Sequence, residues 1–455
     1  MTIRIIGLNE ARETILRRRP LGQAPLPAHV RASIREVFGA DLSAEEVVDE
    51  IIARVQKSGD RALLDLTERI DGVRLISLEV SRERISQAYS LVDGAIVDAL
   101  RVAAERIERF HSKNTPQSWM DWSAEGALGQ IIRPLDRVGL YSPGGRADYP
   151  STILMQAIPA RTAGVKQVML ASPPRKGGTP SPLTLVAADI AGVDGVYAVG
   201  GAQAIAAFAY GTETIPRVDK ILGPGNVFVA LAKRKVFGSV GIDQLAGPTE
   251  TVIVADESAR ADFIAADLLA QAEHDPMASA ILITNSESLA SGVQEEIALQ
   301  LPSLPRAAIA AESLRANGGI VLVDSVLAAI EAANAYAPEH LCLLVNDGLS
   351  YLGYVENAGG VFVGEYSPEV VGDYVAGPSH VMPTGGTARF SSPINVLDFV
   401  KVTSVVAMSR KAACALGPAA ATIADAEGLS AHAAAMRARI SERGGAARER
   451  ADKAP

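Results

Sequence analysis

The chain has 455 residues, a net charge of −9 at pH 7, and a hydrophobic fraction of 48% with only 5% aromatic residues. Such a length exceeds what one core usually serves and predicts two or more domains, and the surplus of Ala, Val, Leu and Ile is the usage of an α/β enzyme. The acidic balance excludes a basic nucleic-acid face or one for anionic lipid, and no run approaches about 18 uninterrupted apolar residues, so no transmembrane span is expected.

The N-terminus MTIRIIGLNEARETILRRRP has no long apolar h-region and no cleavage signal, which predicts a soluble, cytoplasmic protein. Residues 8–38 are charged and helical in pattern, broken by a proline-rich link at 20–27, and must pack on something else. Ser43 can cap a helix reaching about residue 69, with Glu45 and Glu46 in its first turn. A second long helix is expected over 92–113, and Trp119 and Trp122 precede a strand at 129–135. From Val138 the texture changes. A helix at 152–163, a strand at 167–171, a helix at 181–191, a strand at 195–199, a helix to about 211 and a strand at 220–222 follow one another. A second series runs through a strand at 251–255, helix 258–273, strand 280–284, helix 286–299, strand 320–323, helix 325–335 and strands at 341–345 and 359–363. This alternation indicates parallel βαβ winding in two globules, with ligands expected outside the carboxyl ends of the strands. After about residue 393 come a strand, alanine-rich helices and a charged tail expected to fray or to lie on another subunit.

Six histidines are present, and His274, His340, His380 and His432 all fall after residue 270. Imidazole beside carboxylate serves metal binding and proton transfer alike. Gln271 and His274 end a helix at i, i+3 spacing, so both can point at one ion; the alternative is a polar last turn favoured by the helix dipole. Glu339-His340 follows Pro338 at a strand mouth, where an ionisable pair is costly unless used or paired; the alternative is a salt-bridged turn. Asp373 and His380 share a glycine-punctuated loop, Asp373 as a hard ligand and His380 as a ligand or a loop hydrogen bond. Glu427 and His432 repeat the pairing near the C-terminus, where a helix break with a solvated histidine is the plainer reading. Cys342 and Cys414 lie in apolar surroundings without CxxC spacing and read as buried thiols in a reducing compartment. There is no GxGxxG after the first strand of either globule and no GxxxxGK[ST], so a nucleotide is held without the standard fingerprint; Gly200-Gly201-Ala202-Gln203 and Gly223-Pro224-Gly225-Asn226 can each receive a phosphate on free backbone N–H groups.

Read together, the stretches GLYSPGG, GGAQAIAA, VDKILGPGNVFVA, GIDQLAGPTETVIVAD, DLLAQAEHDP, APEHL, VGDYVAGPSHVMPTGGTARFSS and AEGLSAHA resemble the histidinol dehydrogenase family, in the family's order and over nearly the whole chain. The resemblance implies zinc- and NAD-dependent four-electron oxidation of L-histidinol to L-histidine through L-histidinal. It implies one zinc per subunit, held by Gln271, His274 and Asp373 of one chain and His432 of the other, in a homodimer with shared sites. Glu339 and His340 are then the acid–base residues. Thr249 and Glu427 touch the substrate, the latter from the partner, together with Gln271, His274, His340, Asp373 and His432. Tyr141, Gln203 and Asn226 match the NAD-contacting positions.

The fold implied is two incomplete Rossmann-like βα globules with small helical terminal segments. They divide as a 1–39 extension, a catalytic domain of 40–140 with 249–393, an NAD-binding domain at 141–248 and a dimerisation segment at 394–455. Thr249 stands where many members have serine, and Thr251 where an aliphatic residue is more usual; the second is expected to touch packing and not chemistry. Related enzymes oxidise other small polyols, and the ARFSS and EGLSAH blocks favour histidinol itself. A zinc hydrolase with Glu339 activating water accounts for the ligand set but not for the glycine turns. A non-catalytic metal- or nucleotide-binding protein leaves Glu339-His340 without a role.

Overall fold

Ser43 opens the first long helix, Ala44–Asp71, through a reciprocal capping box with Glu46. The helix is not continuous: Gly59 has φ 49°, and a Cβ there would meet the Glu213 carboxylate at 2.1 Å. That carboxylate accepts from the Asp60 N–H at 2.8 Å, so the break is held from outside. The computed structural model describes residues 3–18, 28–144 and 148–441. The proline-rich link at 20–27, Gly145 of the first glycine turn and the charged tail lie outside the described residues. The chain divides into two compact units, one of Met1–Thr115 with Leu135–Phe399 and one of Pro116–Pro134 with Val400–Pro455.

The first unit holds two parallel sheets. One has six strands in the spatial order Ile5–Gly7, Gly319–Leu322, Ser279–Thr284, Glu250–Ala255, His340–Leu344, Gly360–Val363. Its central strands are apolar on both faces. Ile253, Leu282 and Cys342 pack under the helices Ala261–Ala272 and Glu287–Gln300, and Val252, Ile281 and Leu341 pack under Val326–Tyr336. This is the burial that makes parallel strands read as near-continuous hydrophobic runs. Two elements of this half were not expected. Ile5–Gly7 is too short to stand out, yet it pairs with Gly319–Leu322 at the sheet edge. The helix Ala307–Asn317 begins without a side-chain cap, so its sequence carries no start signal.

The other sheet has five strands in the order Gly195–Ala198, Gln167–Ser172, Arg137–Tyr141, Lys220–Leu222, Gly241–Ile242. Leu63 and Leu66 of the first long helix share a core with Tyr141, Phe208 and Val229 of this half. Leu100 and Ile107 of the helix Gly94–His111 join Leu154 and Ile158.

The second unit is an antiparallel sheet, Val400–Met408 beside Gly126–Pro134 beside Trp119–Ser123, with two helices, Arg410–Ala426 and Ser430–Ile440. Trp119 and Trp122 precede the strand Gly126–Pro134 as expected; they also form a strand of their own that pairs with it, and both are exposed. The helices meet at Gly417, where a Cβ would lie 2.8 Å from Ile440 and 2.9 Å from Met436. Cys342 is buried as expected, but Cys414 is exposed. Its alanine neighbours make an apolar sequence without enough side chain to cover it.

Candidate active site

The helix Val326–Tyr336 ends on Ala337 in a left-handed conformation, φ 53°. Pro338 then turns the chain so that Glu339 and His340 sit at the amino end of the strand His340–Leu344. His340 is in register with Thr251 on one side and Gly360 on the other. Paired residues of parallel strands face the same way, so the Thr251 hydroxyl and the His340 ring share one face of the sheet. Glu339 is buried, and its Oε2 accepts from the Thr249 hydroxyl at 2.6 Å and from the Glu250 N–H at 3.0 Å. Burial pushes its carboxyl up to about 7, against the pull of the His340 charge and these two donors. A carboxyl so placed can exchange a proton near neutrality.

The His340 ring is 3% exposed. Its Nδ1 lies 3.3 Å from the Glu250 carbonyl oxygen, 3.7 Å from Glu339 Oε2 and 3.8 Å from Glu369 Oε1; its Nε2 lies 3.3 Å from Asp373 Oδ1. Burial alone would favour the neutral ring, but the carboxylates of Glu369, Glu339 and Asp373 outweigh it and hold the imidazole well above its ordinary range. Asp373 lies in the turn Gly372–Ala376. Gly372 permits this approach, since a Cβ there would sit 2.2 Å from the Phe362 ring, which itself packs 5.8 Å from the His340 ring. Burial raises the Asp373 carboxyl, yet the His340 contact and the nearby charges of His380 and His274 bring it below its usual value.

Gln271 is buried at the end of Ala261–Ala272. Its Nε2 donates to Thr249 Oγ1 at 3.1 Å, while its Oε1 is buried with no hydrogen-bond partner. Thr249 therefore joins Gln271 to Glu339. His274 lies just past the same helix. Burial lowers its pKa and so favours the neutral ring that coordinates metals, against the opposing pull of the Asp373 carboxylate. His380 resolves to the loop hydrogen bond: its Nδ1 donates to the Asp373 carbonyl at 2.6 Å, and its Nε2 meets Thr152 Oγ1 at 3.0 Å. Thr152 belongs to Pro150–Ala163 on the five-stranded sheet, so His380 ties the two halves.

The second half presents the carboxyl ends of its strands. Tyr141 ends Arg137–Tyr141, and its hydroxyl accepts from the Gly201 N–H at 3.0 Å. Gln203 is buried in the first turn of Gly201–Tyr210, its Nε2 without a partner. Asn226 caps Val227–Val236 by accepting from the Phe228 and Val229 N–H groups. Between them Gly223 has φ 119°, and a Cβ there would meet the Tyr141 carbonyl at 2.1 Å. A buried ion pair clamps this turn: Lys233 pairs with Asp243 and donates to the Gly223 carbonyl at 2.9 Å, while Asp243 accepts from the Gly223 N–H at 2.7 Å.

Glu427 and His432 belong to the second unit, where both are exposed beside Gly428 at φ 76°. Sequence reasoning missed Glu369. It is buried, and one of its carboxylate oxygens, a ring nitrogen of His340 and a carboxylate oxygen of Asp373 lie within 4.8 Å of one another. The spacing Glu369-x-x-x-Asp373, one helical turn, was the available signal. Thr251 also reaches beyond packing, because its hydroxyl donates to Glu369 Oε2.

A carboxyl near neutrality beside an imidazole ringed by carboxylates, next to an α/β half with glycine turns at its strand ends, defines an enzyme of acid–base chemistry. The chain matches the histidinol dehydrogenase family model over residues 37–440. It is 50% identical over 396 residues to the histidinol dehydrogenase of Clostridium acetobutylicum, covering 87% of this chain and 92% of that one. It is 50% identical over 433 residues to that of Deinococcus radiodurans, covering 95% and 98%. The crystal structure of histidinol dehydrogenase from Elizabethkingia anophelis superposes with a TM-score of 0.88 at 33% identity, covering 96% of this chain and 98% of that one. The chain belongs to the histidinol dehydrogenase family, and with it to the oxidoreductases. Among the described residues no helix is long and apolar enough to cross a membrane.

Proposed function

We propose that the chain oxidises L-histidinol to L-histidine through L-histidinal, the last steps of histidine biosynthesis, using one zinc per subunit and two NAD per turnover, as a cytoplasmic homodimer. The observation that carries the reading is the set of buried Gln271, Glu339 and His340 with half-buried Thr249 and Asp373, joined by direct contacts within a chain of this family. Zinc suits these residues: the unpartnered Gln271 Oε1, the His274 imidazole and the Asp373 carboxylate are a mixed N/O donor set, completed by His432 of a second chain. NAD suits the other half, where the Gln203 amide has an unpartnered Nε2 and Tyr141 and Asn226 flank the Gly223 turn. Zinc supplies a template that orients the substrate's imidazole and amine, and NAD supplies the hydride acceptor.

The protein's own groups do the rest. His340, whose Nδ1 lies 3.3 Å from the Glu250 carbonyl and whose Nε2 lies 3.3 Å from Asp373 Oδ1, is the group that takes the alcohol proton. Glu339 spends Oε2 on Thr249 and Glu250, and Oε1 is left to remove a proton from the water that attacks the aldehyde. His340 again accepts a proton in the second oxidation. Thr249 fixes both Glu339 and Gln271, and so couples the base to the substrate side. Glu427 and His432 reach the substrate from the partner. Formation of NADH from L-histidinol and NAD by the zinc-loaded protein, followed by absorbance, tests the reading. No NADH from L-histidinol, or NADH only from another polyol, would overturn it.

A further inference from the structure

The chemistry above gives no role to the N-terminal segment, yet that segment is built into the six-stranded half. Ile5–Gly7 pairs with Gly319–Leu322 at the sheet edge, and Ala11 and Ile15 are buried in the core that also holds Val252, Tyr336 and Leu341. The chain then delivers Arg18 to the end of the helix Val326–Tyr336. There the guanidinium stacks on the Tyr336 ring, 3.5 Å from its centroid. Its Nε and Nη2 donate to the Tyr336 carbonyl at 2.8 and 2.6 Å, and Nη2 also donates to the Ala337 carbonyl at 2.9 Å. A helix leaves its last carbonyls without partners, and the fork of N–H donors satisfies these two. Ala337 is fully buried and left-handed at φ 53°, a conformation that a residue with a Cβ keeps only where its surroundings hold it.

The remaining nitrogen, Nη1, pairs with Glu250 Oε1, which also accepts from the Gly385 N–H at 3.1 Å. Glu250 is buried, and its main chain touches both reactive residues. Its N–H donates to Glu339 Oε2 at 3.0 Å, and its carbonyl oxygen lies 3.3 Å from the His340 ring. We propose that Arg18 is a positioning residue that sets Glu339 and His340 through one planar fork, gripping the chain before them at Tyr336-Ala337 and the strand beside them at Glu250.

The proposal rests on Glu339 and His340 carrying the chemistry of the reading above. A lysine at this position keeps a charge beside Glu250 but has no rigid fork for the two carbonyls. Arg18→Lys should therefore lower kcat severalfold, and Arg18→Met by roughly 100-fold, the loss that a misplacement of about 1 Å can bring. The factors should be equal with L-histidinol and with L-histidinal, since both oxidations use His340. KM for both substrates and the zinc content should stay at wild-type values, because Arg18 contacts Tyr336, Ala337 and Glu250 and not the residues assigned to zinc. Arg18→Met also leaves Glu250 buried without its cation, so a double variant separates charge from geometry. Arg18→Met with Glu250→Gln should regain thermal stability and keep the low kcat, because the carbonyls of Tyr336 and Ala337 still lack their donors.

One readout is independent of turnover. In a crystal structure of the double variant, Ala337 should leave the left-handed region or Glu339 should lose its bond to the N–H of residue 250. Wild-type kcat in Arg18→Lys, wild-type kcat in the double variant, a loss confined to KM or zinc content, or an unchanged backbone from 336 to 340 would each overturn the proposal. A wild type that forms no NADH would overturn the assigned reaction, and the crystal comparison would still decide whether Arg18 places Glu339 and His340.

Discussion

Two buried polar clusters sit in the first unit, one in each half, and they are built on opposite principles. In the five-stranded half one cation meets one carboxylate: Lys233 and Asp243 neutralise each other and spend their remaining bonds on the backbone of Gly223. In the six-stranded half three carboxylates surround one imidazole, and the result is a surplus of proton affinity, with Glu339 and Glu369 each raised to about 7 by burial. One-to-one pairing holds a turn in place. Unequal pairing keeps protons mobile near neutral pH, which is what acid–base catalysis requires.

The clusters should respond to mutation in opposite ways. The largest effect is expected at the imidazole: His340→Gln should lower kcat by roughly 10²- to 10⁴-fold while leaving thermal stability near wild type, measured by steady-state kinetics and calorimetry. The paired cluster should do the reverse. Lys233→Met leaves Asp243 buried and uncompensated and should cost about 3–5 kcal/mol of stability, whereas the double change with Asp243→Asn should recover most of it. Denaturant unfolding of the single and double variants checks this, and a double variant no better than Lys233→Met would show that the pair is not the clamp.

A smaller and more selective effect is expected within the reactive cluster. Glu339→Gln retains an acceptor for the Glu250 N–H but cannot take a proton from water. It should slow L-histidinal oxidation by about tenfold more than L-histidinol oxidation; equal losses would remove Glu339 from the water-activating role. The mildest readout concerns assembly. His274→Ala and His432→Ala should each be nearly inactive, and tagged mixed dimers should recover up to about half of wild-type activity, since one site then holds His274 from one chain and His432 from the other. Mixed dimers no more active than either parent would place His432 outside a shared site.

The same contrast explains what the sequence made legible. The parallel strands were readable because burial on both faces demands near-continuous apolar runs, as at Leu341–Leu344. Glu339-His340 was readable because an ionisable pair breaks such a run at its mouth. The break at Gly59 was not, because glycine inside a helical pattern signals a kink only when something outside, here Glu213, holds it. Glu369 escaped notice because a single glutamate after a proline looks like an ordinary helix start; its meaning comes from Thr251 and His340, which only the strand register brings to it. The exposure of Cys414 was missed for the complementary reason, that alanine-rich sequence is apolar without supplying cover.

The central claim is that one acid–base centre carries a substrate through two successive oxidations. The most direct measurement is the ratio of NADH formed to L-histidinol supplied, with L-histidinol limiting, NAD in excess and the zinc-loaded protein. Two NADH per L-histidinol, with L-histidine as the product, is the predicted result. One NADH per L-histidinol, with L-histidinal accumulating, would contradict it.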